Sequence, residues 1–428
     1  MVDRRKGRVL RGYHHTHSIA DSSEGVSTSR VVDLRTKWDT TRFSVALTIV
    51  GRIRTDIHTK DEVFMAQKVS VAVLYNQVGE DEYELMRKQA PKELDFKPEF
   101  RMDVATVEEE IMALVKGLRT AGFRAYAVNV NDRFDLLYQT LSRRSPDAVF
   151  NLIEFFNDDP RQEYMVAALY ELLRIPYTGA PPYTLALCQR KASTKHLLLA
   201  NGIRTPRFKV MEPGPLPRRH GLRYPLIVKP AREDASAGID NASVVDSLDR
   251  MHERVQYVWK EFSQPALVEE FIDGRELNVS IIGNYPPKVL PIGEMVFTDL
   301  PPHLHNIVSF DAKWNPQHEA YHKMYTKCPA ELPKKVEQRV RDIALGAYTL
   351  LGCRDYARVD IRLSKKHQIY VLEVNPNPDL TEGVAFMESA KKGGMSFSAT
   401  LARIVEFALR RTPKALPERT TALRNHYR

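Results

Sequence analysis

The stretch "YARVDIRLSKKHQIYVLEVNP", residues 356–376, decides the fold. It predicts two antiparallel strands joined at "KKHQ", and any even-length loop centred on the middle of that tetrapeptide gives the same register. In that register Asp360 faces Glu373, and Arg358 faces Asn375. Side chains alternate across a strand, so these four residues project from one face of the hairpin.

Two of these four side chains are carboxylates placed directly opposite each other. Like charges in that arrangement repel unless a cation lies between them. Asp360, Glu373 and the Asn375 carboxamide form an all-oxygen set that suits Mg²⁺, which takes one or two carboxylates together with phosphate oxygens. Arg358 would supply a second cation for a transferring phosphoryl group or a tetrahedral oxyanion. The hairpin therefore predicts a magnesium site with a catalytic arginine beside it.

The structural alternative for the hairpin is an exposed ladder of ion pairs. The apolar Val371, Leu372 and Val374 on the second strand leave little room for a solvated face, which favours the metal site. The prediction depends on the register, because a slip of one residue would move the charged side chains to the opposite face.

A lysine ends an apolar strand in "YPLIVKPAREDASAG", and a loop of small residues follows it. Lys229 offers a point charge for phosphate, and Ser236 with the backbone amides of 235–238 would close over phosphate oxygens. A loop of this composition is also typical of a flexible turn.

Two further segments extend this pattern. In "RKASTK", Lys191 and Lys195 lie four apart at a helix start, where like charges favour an anion; the alternative is that one of the two is only solvated. In "ALVEEFIDGRELNV", the backbone of Glu270 to Ile272 is suited to contact an adenine edge. Glu269 or Glu276 would hold the exocyclic amine or the ribose hydroxyls.

Composition places the chain among ordinary soluble globular proteins. It has 428 residues, enough for two or three domains, with 43% hydrophobic and 27% charged residues. No apolar run approaches the roughly 20 residues of a membrane span, and the N-terminus lacks the apolar core of a secretory signal, so we expect a cytoplasmic location. The three cysteines are too few and too scattered for a disulfide framework or a metal knuckle.

The net charge of +9 comes largely from the two ends of the chain. We expect solvated tails there, since no aromatic stacking platform accompanies the basic residues; nucleic-acid binding is the alternative. Residues 1–64 show no sustained periodicity, which predicts a disordered extension. From "KVSVAVLY" onward strands and helices alternate, which predicts a doubly wound domain ending near "IPYTG". Two further units follow, and we expect a long irregular insert between "ELNVSIIG" and the helix "KKVEQRVRDIALGAYTLLG".

Seven motifs occur in order at suitable distances over roughly residues 66–411: "PYTG", "ALCQRKASTKHLL", "PLIVKPAREDASAGI", "VEEFIDGRELNV", "ARVDIRL", "EVNPNPDLT" and "GMSFSATLARIVEFAL". Together they resemble the D-alanine:D-alanine ligase branch of the ATP-grasp superfamily. The resemblance implies an α/β fold class, with α+β character in the ATP-grasp half, and ATP held between the central and C-terminal of three domains. It also implies a carboxylate activated as an acylphosphate, which an amine then attacks.

Domain boundaries follow from combining the motifs with the periodicity. They are a basic extension at 1–64, an N-terminal doubly wound α/β domain at 65–180, a central ATP-grasp lid at 181–267, a C-terminal catalytic domain at 268–411, and a basic tail at 412–428.

On matching positions, the resemblance implies roles for individual residues. Those facing the nucleotide would be Lys191 and Lys229 at the phosphates, Ser236 in the covering loop, Glu269, Glu270, Ile272 and Glu276 at adenine and ribose, and Lys313 in "SFDAKW". Those facing the metal would be Asp360, Glu373 and Asn375, holding two Mg²⁺ or Mn²⁺. Those acting in catalysis would be Arg358 and Lys229. The metal set agrees with the one obtained from strand pairing.

The substrate side departs from the family pattern. Asp379 and Val384 stand where the family has a Gly and a Ser, so the hydroxyl for a second D-alanine carboxylate is missing. Glu154 replaces a His-Gly pair, Trp314 stands where a Tyr is common, and "NQVGEDEYELM" replaces a Gly-rich first loop. We therefore expect the chemistry to be retained and the substrates to differ.

Four residues are the predicted substrate contacts: Glu154, Glu163, Asp379 and Trp314, with Arg161 as a further candidate. Glu154 ends a predicted strand, where a carboxylate would receive an amine. The structural alternative is a surface acid and a helix-capping pair.

The leading hypothesis is an ATP-dependent carboxylate–amine ligase acting on amino acids, a peptide or a related metabolite. Ligation of two D-alanines is the nearest alternative. A non-catalytic ATP-binding interaction protein is another, although a scaffold has no reason to keep all four polar hairpin residues. We expect small-molecule substrates, no membrane and no nucleic-acid partner, and a homodimer by resemblance. The sequence names neither the acyl donor nor the amine.

Overall fold

A computed structural model describes residues 69–88, 104–301 and 303–411, with the single residues 94, 96, 98 and 100. The predicted N-terminal extension and the basic tail lie outside these residues. Elements are numbered along the described part of the chain.

The first sheet has three parallel strands, β1 (Ser70–Tyr75), β2 (Arg124–Asn129) and β3 (Ala148–Leu152). Their order across the sheet is β2-β1-β3. Four helices accompany them: α1 (Glu82–Lys88), α2 (Val107–Thr120), α3 (Phe134–Ser142) and α4 (Glu163–Leu172). The predicted alternation of strands and helices is confirmed.

Both faces of the first sheet are covered. A capping box between Thr106 and Glu109 starts α2, whose apolar stripe includes Leu118. That stripe packs against Val71 and Val73. Side chains at the alternate positions of β1 belong to a second core shared with α3 and α4, as the period of two in a strand requires.

The second sheet is antiparallel. Its strands are β4 (Phe208–Met211), β5 (Leu226–Pro230), β6 (Val244–Val245) and β7 (Ala266–Glu270), in the order β4-β7-β5-β6. Helix α7 (Leu248–Phe262) covers one face through buried Met251, Val255 and Val258. Two helices precede the sheet in the chain, α5 (Pro182–Gln189) and α6 (Lys191–Ala200).

The third sheet has six strands: β8 (Gly274–Ile282), β9 (Lys288–Val289), β10 (Gly293–Phe297), β11 (Met324–Lys327), β12 (Tyr356–Ser364) and β13 (Ile369–Asn375). Their order is β11-β10-β8-β12-β13, with β9 paired to β8. The prediction of a long irregular insert is wrong, because β10 and β11 extend this sheet. Strand β10 pairs with β8 and with β11, and the periodicity of a single segment does not show which strands pair.

Helices complete the C-terminal half: α8 (Phe310–Trp314), α9 (Glu319–His322), α10 (Lys334–Leu350), α11 (Ala385–Lys392) and α12 (Phe397–Arg411). Helix α10 packs on the apolar face of the third sheet, with Val340 and Ala344 fully buried. None of the helices in the described ranges is both long and apolar enough to cross a bilayer.

The hairpin register is confirmed where the charged residues lie. Asp360 pairs with Glu373 and Arg358 with Asn375. Beyond them a bulge at Leu372 shifts the pairing by one residue, so the predicted even-length loop is wrong. The bulge offsets the one-residue shift of the loop, so Asp360 and Arg358 still have the predicted partners.

The mixed α/β fold class is confirmed. The three-domain division stays a prediction. The boundary that it places between 267 and 268 falls inside β7.

Candidate active site

Two rows of polar side chains cross three neighbouring strands of the third sheet. Strand pairing places Asn278, Asp360 and Glu373 in one row. Ser280, Arg358 and Asn375 form the next row. Apolar residues at the alternate positions of these strands pack toward α10. The structure therefore brings all four predicted hairpin residues together on one face.

Asp360 is the centre of this arrangement and is almost fully buried. Its Oδ1 accepts hydrogen bonds from Arg358 Nε at 2.7 Å and from Asn278 Nδ2 at 2.8 Å. Its Oδ2 accepts from Arg358 Nη2 at 2.8 Å and from Asn375 Nδ2 at 2.7 Å. The bidentate arginine contact fixes the plane of the carboxylate.

Glu373 is held by the first lysine of α6. Lys191 Nζ lies 2.5 Å from Glu373 Oε2 and 3.0 Å from Asp234 Oδ1. Burial acts to raise the pKa of Glu373, but Lys191 and Lys229 outweigh burial and hold it well below its usual range. The site therefore keeps this carboxylate ionised, as a cation ligand requires.

Lys195, one helical turn further along α6, is 1% exposed. Its Nζ contacts three acceptors: Glu269 Oε1 at 2.6 Å, Thr205 Oγ1 at 2.7 Å and the Leu372 carbonyl at 2.8 Å. The alternative that one of the two lysines of "RKASTK" is only solvated is wrong, since Lys191 is 6% exposed. The bulge at Leu372 supplies one of the acceptors that make this burial tolerable.

Glu269, on β7, contacts two lysines of the site. Its Oε2 lies 2.6 Å from Lys229 Nζ, while Lys195 occupies Oε1. Burial acts to raise the pKa of Glu269, and the two lysines outweigh it, so the pKa is lowered. Burial lowers the pKa of Lys195 to about 8, although Glu269 opposes this effect.

The other predicted nucleotide residues lie along the same strands. Glu276 pairs with Arg362 at 2.9 Å on the polar face of the third sheet. The Glu270 carboxylate accepts from the backbone N–H of Arg223 at 3.0 Å and contacts Arg207 at 3.2 Å. The half-buried Ile272 follows two residues after β7.

The small-residue loop lies against α8 and the segment before it. Ser236 Oγ donates to the Val308 carbonyl at 2.7 Å, and the Trp314 indole donates to the Ala235 carbonyl at 2.9 Å. Lys313 Nζ lies 4.5 Å from the centroid of the Trp314 ring. Burial, followed by nearby Arg358, lowers the pKa of Lys313. The structure thus brings Ser236, Lys313 and Trp314 together.

The predicted substrate contacts are mostly acidic. Glu163 Oε1 accepts a hydrogen bond from Asn377 Nδ2 at 3.0 Å. Burial, then Glu154 and Asp234, raise the pKa of Glu163 well above its usual value. Asp379 accepts from the backbone N–H of Thr381 at 2.8 Å. The exposed Arg161 pairs instead with Asp159 at 2.8 Å, and Asp159 caps the short helical turn at 160–162.

Two site residues escape the sequence reasoning. Glu110, in the first turn of α2, lies near Asp379, and burial followed by that carboxylate raises its pKa to about 7. The second is Asn278, on β8, which pairs with Asp360 on the neighbouring strand β12. The alternation of polar and apolar residues in "ELNVSII" is the signal that reveals Asn278, while Glu110 is reached only through the tertiary fold.

The donor set fits a hard divalent cation. Asp360 and Glu373 supply two carboxylates, and Asn375 supplies an amide oxygen. No group of three His, Cys, Asp or Glu residues suited to a metal occurs within the described ranges. Magnesium sites that borrow phosphate oxygens from a nucleotide need only one or two carboxylates.

Comparison with known proteins identifies the family. The family profile described as D-ala D-ala ligase C-terminus matches residues 200–406. An uncharacterized protein of Sinorhizobium fredii, y4sG, is 35% identical over 268 residues, 63% of this chain and 76% of that protein. A D-alanine–D-alanine ligase of Desulforudis audaxviator is 32% identical over 256 residues, 58% of this chain and 77% of that enzyme.

Solved structures show the same fold. The D-alanine–D-alanine ligase of Bacillus anthracis complexed with ATP has a TM-score of 0.59 at 22% identity, covering 80% of this chain and 98% of that one. The Coxiella burnetii enzyme has a TM-score of 0.57 at 19% identity, covering 81% and 95%.

The chain therefore belongs to the D-alanine–D-alanine ligase branch of the ATP-grasp superfamily. The predicted class of enzyme, an ATP-dependent ligase, is confirmed. Proteins of this family use ATP and a divalent metal.

Proposed function

We propose that this chain is a carboxylate–amine ligase that forms an amide or peptide bond between substrates other than two D-alanines. The observation that carries the proposal is the pair of polar rows, in which Asp360, Glu373, Asn375 and Arg358 share one face beside buried lysines. A non-catalytic scaffold needs no such set, so an enzyme is the better account.

The proposed reaction has two steps. A substrate carboxylate oxygen attacks the γ-phosphorus of ATP, and ADP leaves with the electron pair of the broken P–O bond. An amine then attacks the acyl carbon, loses a proton, and expels inorganic phosphate. No protein nucleophile is required, because positioning and charge stabilisation carry such transfers.

Cationic side chains stabilise both transition states in this proposal. Lys191 and Lys229 contact the phosphates, held in place by Glu373 and Glu269. Arg358 leaves Asp360 to stabilise charge on the phosphoryl group and the tetrahedral oxyanion. Asp360, Glu373 and Asn375 would hold two Mg²⁺, or Mn²⁺, which supply Lewis-acid neutralisation of phosphate charge.

The remaining nucleotide contacts are part of the same proposal. They are Ser236 and Lys313 near the phosphates, with Glu269, Glu270, Ile272 and Glu276 around adenine and ribose. The contact between Ser236 and Val308 supports the first assignment, because it closes the loop beside α8.

The acidic substrate side supports an amine-bearing substrate. Glu154 lies close enough to Glu163 for its charge to raise the Glu163 pKa, and the charges of Glu154 and Asp379 both act on Lys313. The Trp314 ring lies 4.5 Å from the Lys313 ammonium group. The absence of a hydroxyl at Val384 argues against D-alanine as the acceptor. A homodimer and small amino acid or peptide substrates complete the proposal.

ADP release from Mg-ATP in the presence of pooled D- and L-amino acids and short peptides tests the proposal. We expect turnover that needs an added amino compound and collapses in Glu373→Gln. Glu331→Gln, at a strongly exposed glutamate, is the matched control and should retain activity. ATP binding without turnover in any pool would favour the scaffold, and turnover with D-alanine alone would favour the family's named reaction.

A further inference from the structure

Asn278 on the central strand β8 has no role in the proposed reaction. Its side chain is 4% exposed, and its Nδ2 donates to Asp360 Oδ1 at 2.8 Å. An ionised carboxylate only accepts hydrogen bonds, so the amide nitrogen must face Asp360. The orientation of the Asn278 amide is therefore fixed.

The oxygen of the same amide lacks a partner. Asn278 Oδ1 is buried and makes no hydrogen bond with any residue that the structure describes. A buried acceptor that makes no hydrogen bond costs folding stability, because it has lost its water. An apolar side chain, such as that of the neighbouring Leu277, would avoid the cost. A polar oxygen retained beside a candidate cation site points to a ligand that satisfies it.

Asn375 stands in the same relation to Asp360 from the opposite strand. Its Nδ2 donates to Asp360 Oδ2 at 2.7 Å. Two carboxamides therefore flank one carboxylate, each with its nitrogen turned to it. Asn375 is already a proposed cation ligand, and Asn278 repeats its local geometry on the other side.

Asp360 receives four hydrogen bonds, two of them from Arg358. Four donors fill the acceptor sites of a carboxylate, so a cation that reaches Asp360 must displace some of them. Arg358 is the donor with a second task in the reaction. Asn278, fixed on a central strand, then keeps Asp360 oriented when the arginine leaves.

We propose that Asn278 is a further residue of the divalent-cation site, orienting Asp360 through Nδ2 and accepting a hydrogen bond at Oδ1 from a water of the hydrated cation. Mg²⁺ keeps several waters in most protein sites. The inference rests on the proposed function, because it takes Asp360, Glu373 and Asn375 as the ligands.

Mn²⁺ binding to the full chain, measured by EPR of the free ion with a non-hydrolysable ATP analogue present, tests this inference. Asn278→Leu should weaken Mn²⁺ binding about 10- to 100-fold. The affinity of Asn278→Leu for the ATP analogue, measured in the absence of metal, should be unchanged. Asn278→Asp loses the Nδ2 donor but keeps an acceptor oxygen and adds a negative charge at the cation, which outweighs the loss and should tighten Mn²⁺ binding. Val279→Ala, at a buried position on the same strand whose side chain packs toward α10 and not on the polar face, should bind Mn²⁺ like the wild type.

Opposite effects of the Leu and Asp substitutions separate a role at the cation from a packing defect, which would weaken both. Unchanged Mn²⁺ binding in Asn278→Leu, or equal weakening in both variants, overturns the inference and leaves the proposed function intact. If Asn278→Leu does not fold, Asn278→Asp decides, and a failure to tighten overturns the inference. A wild type that binds no Mn²⁺ overturns the metal site itself.

Discussion

The Glu110 carboxyl group lies near two other acids, Asp379 and Asp81. Burial, followed by these charges, raises its pKa to about 7, so the folded state holds this proton more tightly than the unfolded state. Its contribution to stability is therefore present at low pH and lost as pH rises toward 7 and beyond.

We predict that Glu110→Gln removes this loss of folding stability with rising pH. The melting temperature of Glu110→Gln relative to wild type should rise between pH 5 and pH 8, by on the order of 1–3 °C. Glu108→Gln, at an exposed neighbour in the same turn, controls for the removal of one carboxylate. A constant difference across that pH range would contradict the assigned environment.

Lys195 is a buried cation whose three acceptors come from different parts of the chain. Lys195→Met leaves Glu269 with one lysine and the Leu372 carbonyl without its partner. Removing one member of a buried ion pair costs about 3–5 kcal/mol. Urea denaturation should show a loss of this size. Lys209→Met, at an exposed lysine on β4, should change the free energy of unfolding by less than about 0.5 kcal/mol. Similar losses in both variants would be inconsistent with the network.

These residues mark what the sequence does and does not reveal. Asp360, Glu373, Arg358 and Asn375 are predictable because strand alternation and one hairpin place them together. The contacts that Lys195 and Glu110 make are not predictable, since only the packing of separate elements brings their partners near.

The polar pairs of the β12–β13 hairpin are predicted correctly, although the loop from which they were predicted is not. The loop is shifted by one residue from the predicted symmetry, and the bulge at Leu372 shifts the pairing back. Lys195 binds the carbonyl of that bulge residue. A bulge held by a tertiary contact has no local signature, so the sequence alone cannot place it.

The turn that follows β3 and α4 depends on a glycine. Gly179 has φ +91°, and a Cβ there would lie 2.3 Å from Asn377 Oδ1. Gly202 has φ +76° with nothing within 4 Å of such a Cβ. A side chain at either position would strain the backbone, and a side chain at Gly179 would also clash with Asn377.

We predict that Gly179→Ala costs about 2–4 kcal/mol of folding free energy, because strain and overpacking add. Gly202→Ala should cost about 1 kcal/mol from strain alone. Denaturant unfolding of both variants measures the difference. Equal costs would show that Asn377 moves aside freely.

The C-terminal helix links the two ends of the described chain. Leu401, Ile404 and Val405 of α12 share a core with β1 and α2. Gly117 of α2 allows the close approach, since a Cβ there would lie 2.8 Å from Leu401. Each element is visible in the sequence, whereas the docking of the last helix on the first sheet is not, because amphipathic periodicity gives a buried face without naming its partner.

Transfer of oxygen from substrate to phosphate tests the ligase most directly. The wild-type protein is incubated with Mg-ATP and a pool of amino acids and peptides labelled with ¹⁸O in their carboxylates, and the released phosphate is analysed by mass spectrometry. An acylphosphate breaks at its acyl C–O bond, so the account predicts one ¹⁸O atom in each phosphate formed with product. ADP released together with unlabelled phosphate would contradict it, since water rather than a carboxylate would then be the nucleophile.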